Sequence, residues 1–153
     1  MLPTTVARVP EHTAVAVNEG IHHRMEDRVA RVAAAGPEAV ARRLRELDRE
    51  WDTERLLEAN ASTLIVVGAG LALTVNLWFV LIPLVVGAFL FQHALQGWCP
   101  PLPVFRRLGV RTQTEIEQER YALKALRGDF AQFSGGMTNP TSHPGLAVQV
   151  VSN

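Results

Sequence analysis

The sequence contains one cysteine, Cys99, so no intrachain disulfide can form and thiol chemistry would need a second partner. Fifteen basic and fifteen acidic side chains leave no net charge, hence no field that would draw the chain to nucleic acid. Catalytic carboxylate pairs, phosphate loops and metal motifs are missing, as is any internal repeat. No cofactor is expected, and the chain reads as a non-enzyme. Met1–Gly20 has no basic stretch followed by an apolar core, so a cleaved signal peptide is not expected. The largest absence is of charge: from Ala59 to Phe105, 47 residues, there is no Asp, Glu, Lys or Arg. A soluble domain would scatter charges through such a length to keep its outer face wet, so the block points to lipid.

Within that block the apolar residues run on all sides. Leu64, Ile65, Val66, Val67, Leu71, Leu73 and Val75 belong to a first span expected at about 56–75, opened by an N-cap at Asp52 or Thr53. Asn76 supplies a turn. Leu77, Phe79, Val80, Leu84, Val85, Phe89 and Leu90 then carry a second span at about 77–96. A single helix of about 40 residues would reach ~60 Å and overshoot any bilayer, whereas two spans of about 20 each match it. The fold class expected is thus an all-α integral membrane protein, a two-helix transmembrane hairpin (52–98) with cytoplasmic amphipathic helices on both sides and disordered termini.

The flanks set the topology. Eight arginines lie between Arg24 and Arg55 and six basic residues between Arg106 and Arg127, with none near Asn76. The positive-inside rule then puts both termini in the cytoplasm, and the expected location is a bacterial inner membrane. Trp51 and Trp98 near the inner face and Trp78 near the outer face match aromatic belts.

Outside the hairpin, residues 1–20 read as a disordered arm. A helical segment follows at 21–51, interrupted by Gly36 and restarted by Pro37. Val40, Leu44, Leu47 and Trp51 fall at steps of four, three and four, giving one apolar stripe opposite Arg42, Arg43, Arg45, Glu46 and Arg49. That helix either packs on a neighbour or lies on the cytoplasmic leaflet. Gly97 closes the second span. Pro100, Pro101 and Pro103 forbid the helix from resuming through a proline-rich connection at 99–111. Thr112 with Glu115 is a capping-box pattern opening a helix at 113–127, within a cytoplasmic segment 112–130. Ile116, Leu123 and Leu126 share one face of it, and Phe130 continues that face. Residues 131–153 are expected to be a disordered tail.

Gly97-Trp98-Cys99-Pro100-Pro101 followed by Leu108-Gly109-Val110-Arg111-Thr112 resembles the end of the YgaP-like transmembrane domain, a two-helix inner-membrane module often found beside or fused to rhodanese domains. The resemblance covers about Asp52 to Thr112. It implies a dimeric membrane hairpin of poorly defined role, with a soluble rhodanese as a candidate partner, and it imports no catalytic site. This chain has no room for a rhodanese domain of its own, and its soluble helices are extensions the minimal module lacks.

Several residues are candidates for function. Cys99, where the second span ends, is either a relay for sulfane sulfur, its nucleophilic thiolate favoured by Arg106 and Arg107, or a small apolar residue packing the helix end. His93 and Asn76 are the polar groups of the spans. His93 is a functional candidate by its depth, although a position one turn before Gly97 lets the ring reach the interface. His12, His22 and His23 lack ligand spacing, so no metal site is expected. Gly68 and Ala72 offer a small surface that either the second span or a second subunit would fill, and Gly87 and Ala88 offer a matching one beside Pro83. Three functional readings follow. The chain is a hairpin that dimerises or joins a larger complex as a docking platform, a sulfur-relay accessory acting through Cys99, or an oligomeric conduit for a small sulfur-containing anion.

Overall fold

A computed structural model describes residues 6–130, which are all-helical with no strand among them. The helices are α1 (Arg8–Glu11), α2 (Val15–Ala34), α3 (Pro37–Leu47), α4 (Thr53–Thr74), α5 (Leu81–Gln96), α6 (Leu102–Arg107) and α7 (Gln113–Arg127), with a 3-10 turn at Leu77–Val80 leading into α5. Among the described residues they form two compact units, one of 6–24 and 50–116, the other of 25–49 and 117–130. The expected tail, 131–153, lies outside the described residues.

The first unit contains the hairpin. Thr53–Thr74 and Leu77–Gln96 are long and apolar enough to cross a membrane. Asp52 opens α4 by accepting the Arg55 N–H at 2.8 Å, as its capping chemistry predicts. Asn76 turns the chain, its side chain accepting the Trp78 N–H at 2.9 Å. The spans pack closely at Gly68, where a Cβ would fall 2.7 Å from Pro83 Cδ and 2.8 Å from Ile82 Cβ. Between the two fillers open at that small surface, the second span takes it. Around Gly87, by contrast, nothing comes within 4 Å of where a Cβ would be, and Ala88 is exposed. Only 11% of the apolar window of the first span and 6% of that of the second is buried. Helices apolar all round in a soluble protein occupy its core; these two present Val66, Leu73, Leu77, Leu84 and Phe91 outward.

Two expectations are corrected at the open end of the hairpin. The arm expected over residues 1–20 is helical from Arg8, and α2 begins at Val15 rather than near Ile21. Tertiary contacts override the weak local pattern: Val9 is buried with Leu57, Cys99 and Leu102, and Thr13 Oγ1 donates to the Val9 carbonyl at 2.8 Å. The prolines after Gly97 do not keep the chain irregular either, because α6 starts at Leu102. Pro101 caps it and Pro103 occupies its first turn, where a missing N–H costs nothing. Gly97 ends α5 at φ 78°, and the capping box is formed: Glu115 N–H donates to Thr112 Oγ1 at 3.3 Å and Thr112 N–H to Glu115 Oε2 at 2.7 Å.

The second unit carries the basic amphipathic segment. Gly36, at φ 92°, separates α2 from α3, and Pro37 takes the first helical position. Val40, Leu44 and Leu47 are buried as the stripe predicts. The helix stops at Leu47, so Trp51 falls outside it, exposed in the first unit with the Arg55 guanidinium 4.6 Å from its ring centre. On α7, Leu123 is buried but Leu126 is 61% exposed, so the expected stripe is shorter than its spacing. Glu119 replaces it as the buried centre of this unit, holding Arg43 Nε at 2.8 Å and Arg28 Nη1 at 3.1 Å.

Candidate functional site

The open end of the hairpin gathers polar groups that lie far apart in sequence. Glu54 stands in the first turn of α4 and His93 in the last turn of α5, and His93 Nε2 is 3.0 Å from Glu54 Oε2. The other carboxylate oxygen, Oε1, accepts from Arg8 Nη2 at 2.8 Å, while Arg8 Nη1 donates to the Ala94 carbonyl at 3.1 Å. Arg8 thereby joins the start of one span to the end of the other. Its backbone lies against Gly97, where any Cβ would collide with it. This close approach and the positive φ both demand glycine.

Cys99 follows two residues beyond Gly97. It is 4% exposed, packed with Val9, Leu57 and Leu102, and its thiol is near enough to His93 for their side chains to interact. The His93 ring is itself 3% exposed. Its Nδ1 is the one buried side-chain nitrogen or oxygen among the described residues without a hydrogen-bond partner of ordinary geometry. The order is thus thiol, imidazole, carboxylate and guanidinium. In it the carboxylate fixes the ring, whose other nitrogen is left without a hydrogen bond near the buried thiol. The described His, Cys, Asp and Glu residues form no group of three or more suited to a metal ion, and His12, His22 and His23 are exposed.

Arg106, expected from sequence to act on Cys99, is turned elsewhere. Its side chain is fully buried, and its five N–H donors go to Glu115 Oε1 and Oε2 (2.7 Å each), Asn18 Oδ1 (2.9 Å), the Val110 carbonyl (3.0 Å) and Thr13 Oγ1 (3.3 Å). Burial pushes the Glu115 carboxyl up, but Arg106 and Thr112 outweigh it and hold it below the usual carboxylate value. Arg111 makes a similar bidentate pair with Glu50 at 2.8 and 2.7 Å. The Arg111 carbonyl takes both the backbone N–H and the hydroxyl of Thr53, at 2.8 and 3.0 Å. Arg107 is exposed. The cation that orders the thiol site is therefore Arg8, through Glu54.

Above Cys99 a groove of about 290 Å³ runs between the spans, lined by Leu57, Ala61 and Leu64 of α4 and by Val85, Phe89 and Leu90 of α5. Asn60 is the one polar side chain on its walls apart from Cys99 itself.

The remaining sequence candidates are scattered. Trp98 is half-buried, Pro100 is exposed, and Leu108 is 76% exposed. Gly109 has φ 89° and Ala72 is half-buried. Glu54 and Arg8 are not among the sequence candidates: Glu54 is an acid of the kind common in any first helical turn, and Arg8 falls within the expected arm. The available signal was depth, since a hairpin turning at Asn76 leaves Glu54 and His93 each at the open end of its span.

Compared with family models, with curated proteins and with solved structures, the chain matches none. The site therefore stands on its own geometry.

Proposed function

We propose that this chain is an accessory hairpin of the cytoplasmic membrane, both ends inside, whose Cys99 thiol accepts a transferable group and passes it on. The observation that supports this best is the run of Cys99, His93, Glu54 and Arg8 at the open end of the hairpin. His93 takes the thiol proton, Glu54 stabilises the imidazolium formed, and Arg8 holds the carboxylate in place. Insertion in lipid is supported by the exposed apolar sides of both long helices, and the inward topology by the arginines flanking them. The thiol would act as a carrier, without turning over a substrate of its own. The resemblance to the YgaP-like module favours sulfane sulfur from a soluble rhodanese. In that case the Cys99 thiolate attacks the donor's outer sulfur, and the donor leaves as a thiol.

Alkylation of Cys99 by iodoacetamide in proteoliposomes tests the reading. The wild-type rate is expected to exceed that of His93→Gln by about a hundredfold, the low end of what a positioned base supplies. Equal rates would remove the basis for an activated thiol.

A second reading, the dimer or docking platform, is favoured by the open space around Gly87 and by the exposed Leu84 and Phe91 on the same span. Cysteine crosslinking in native membranes from position 87, in a Cys99→Ala background, should give a dimer or a larger adduct. Monomer alone would count against it.

A further inference from the structure

We propose that the group carried by Cys99 is a long acyl chain, held as a thioester with its hydrocarbon lying in the groove between α4 and α5. The inference rests on reading Cys99 as a reactive thiol, and it puts an acyl group in place of sulfane sulfur as the cargo.

The groove decides that chemistry. Leu57, Ala61 and Leu64 fall at steps of four and three, so α4 lends it one continuous apolar face. No Arg, Lys or His lines it, so an anionic sulfur species would find no cation there and would lose its hydration without compensation. Water would meet few partners on such walls. A hydrocarbon requires none. At about 290 Å³ the space is roughly twice that of a cavity that takes a benzene ring, enough for a chain of about a dozen carbons. Leu64 and Val85, both on its walls, are also 45% and 50% exposed, so a longer tail continues out along the side of the hairpin. The thiol lies at the other end, so a carbonyl bonded to Cys99 Sγ has its chain directed into the groove.

The reaction is balanced without any redox partner. The Cys99 thiol gives its proton to His93 and the sulfur attacks the carbonyl carbon of an acyl thioester. The carbonyl carbon's bond to the donor sulfur breaks, and the donor leaves as a thiol after recovering the proton from His93. Removal of the chain by an acceptor is the same sequence in reverse.

The test uses the full-length protein in phosphatidylcholine liposomes, offered palmitoyl-coenzyme A or acetyl-coenzyme A, with intact mass as the readout. We expect one palmitoyl group per chain, released by hydroxylamine and absent from Cys99→Ala. It should form at least about tenfold faster than the acetyl adduct, because even a single methylene in an apolar pocket is worth about that factor. Ala61→Phe, which fills the groove, should erase the preference for the long chain. If that variant does not fold, the chain-length preference of the wild type alone decides. Palmitoylation no faster than acetylation would overturn the inference. Uptake of sulfur from a persulfide donor, with no acyl uptake, would overturn it while leaving Cys99 a reactive thiol. Alkylation independent of His93 would overturn both.

Discussion

Around the turn of the hairpin, the described side-chain hydrogen bonds are local: Thr74 to the Gly70 carbonyl and Asn76 to the Trp78 N–H. At the open end, by contrast, Arg8, Arg106 and Arg111 tie together segments separated by 46, 93 and 61 residues. The closed end is held by shape, above all by the fit of Ile82 and Pro83 over Gly68, and the open end by charge. In an apolar surrounding a helix satisfies its own backbone and needs only close packing. Beyond the apolar stretch, polar side chains become available to fix α1, α6 and the start of α7. The thiol site stands at the junction of the two regimes, with the groove on one side and the ion pairs on the other.

That contrast can be broken most severely at Arg106. Replacing it by Ala empties a fully buried site and leaves the half-buried Glu115 without its partner, which should cost about 3–5 kcal/mol, read as loss of the thermal transition in detergent. A Met of similar reach should be milder, since it removes the charge but keeps the packing. Gly97→Ala comes next, at roughly 1–3 kcal/mol, because it forces a side chain into the left-handed region and against Arg8. It should also lower Cys99 alkylation toward the His93→Gln level by releasing the Arg8–Glu54 tie. At the closed end, Gly68→Leu should cost about 1–3 kcal/mol through overpacking and leave the acid sensitivity of the open end unchanged, as read by unfolding at two pH values.

That sensitivity has a definite sign. The folded Glu115 carboxyl is held below its usual value, so its contribution is present above the unfolded carboxylate pKa of about 4.3 and is lost as pH falls through the folded value. Midpoints of urea unfolding should therefore fall on acidification below about pH 5, and Glu115→Gln should flatten the curve. The smallest effect is expected from Asp52→Ala, about 1 kcal/mol for a lost helix cap, seen as earlier fraying at the start of α4.

The spans were readable because the absence of charge over 47 residues is a global signal that no local context reverses. The caps were readable for the opposite reason. Asp52, Gly97 and the Thr112–Glu115 pair act within one turn of themselves, so spacing alone identifies them. Residues 8–20 were not readable, because α1 is four residues long and forms only against Gly97 and Leu57. Cys99 and His93 stood out by type and depth. Their connection did not, since it passes through Glu54, 39 residues from His93, and depends on the register in which the two spans meet.

The buried guanidinium of Arg106 also sets an order of events during synthesis. Its acceptors Thr13 and Asn18 leave the ribosome 93 and 88 residues before it, a delay of roughly 5–20 s at ordinary elongation rates. Glu115 arrives only after Arg106 itself. For that interval Thr13 and Asn18 lack their guanidinium, although Glu54 and Leu57 are already there for Arg8 and Val9, so the amino-terminal helices become fully fixed only as the chain behind the second helix emerges. A nascent chain stalled short of residue 106 should accordingly be digestible by protease up to the start of α4, and become resistant there once synthesis passes α7.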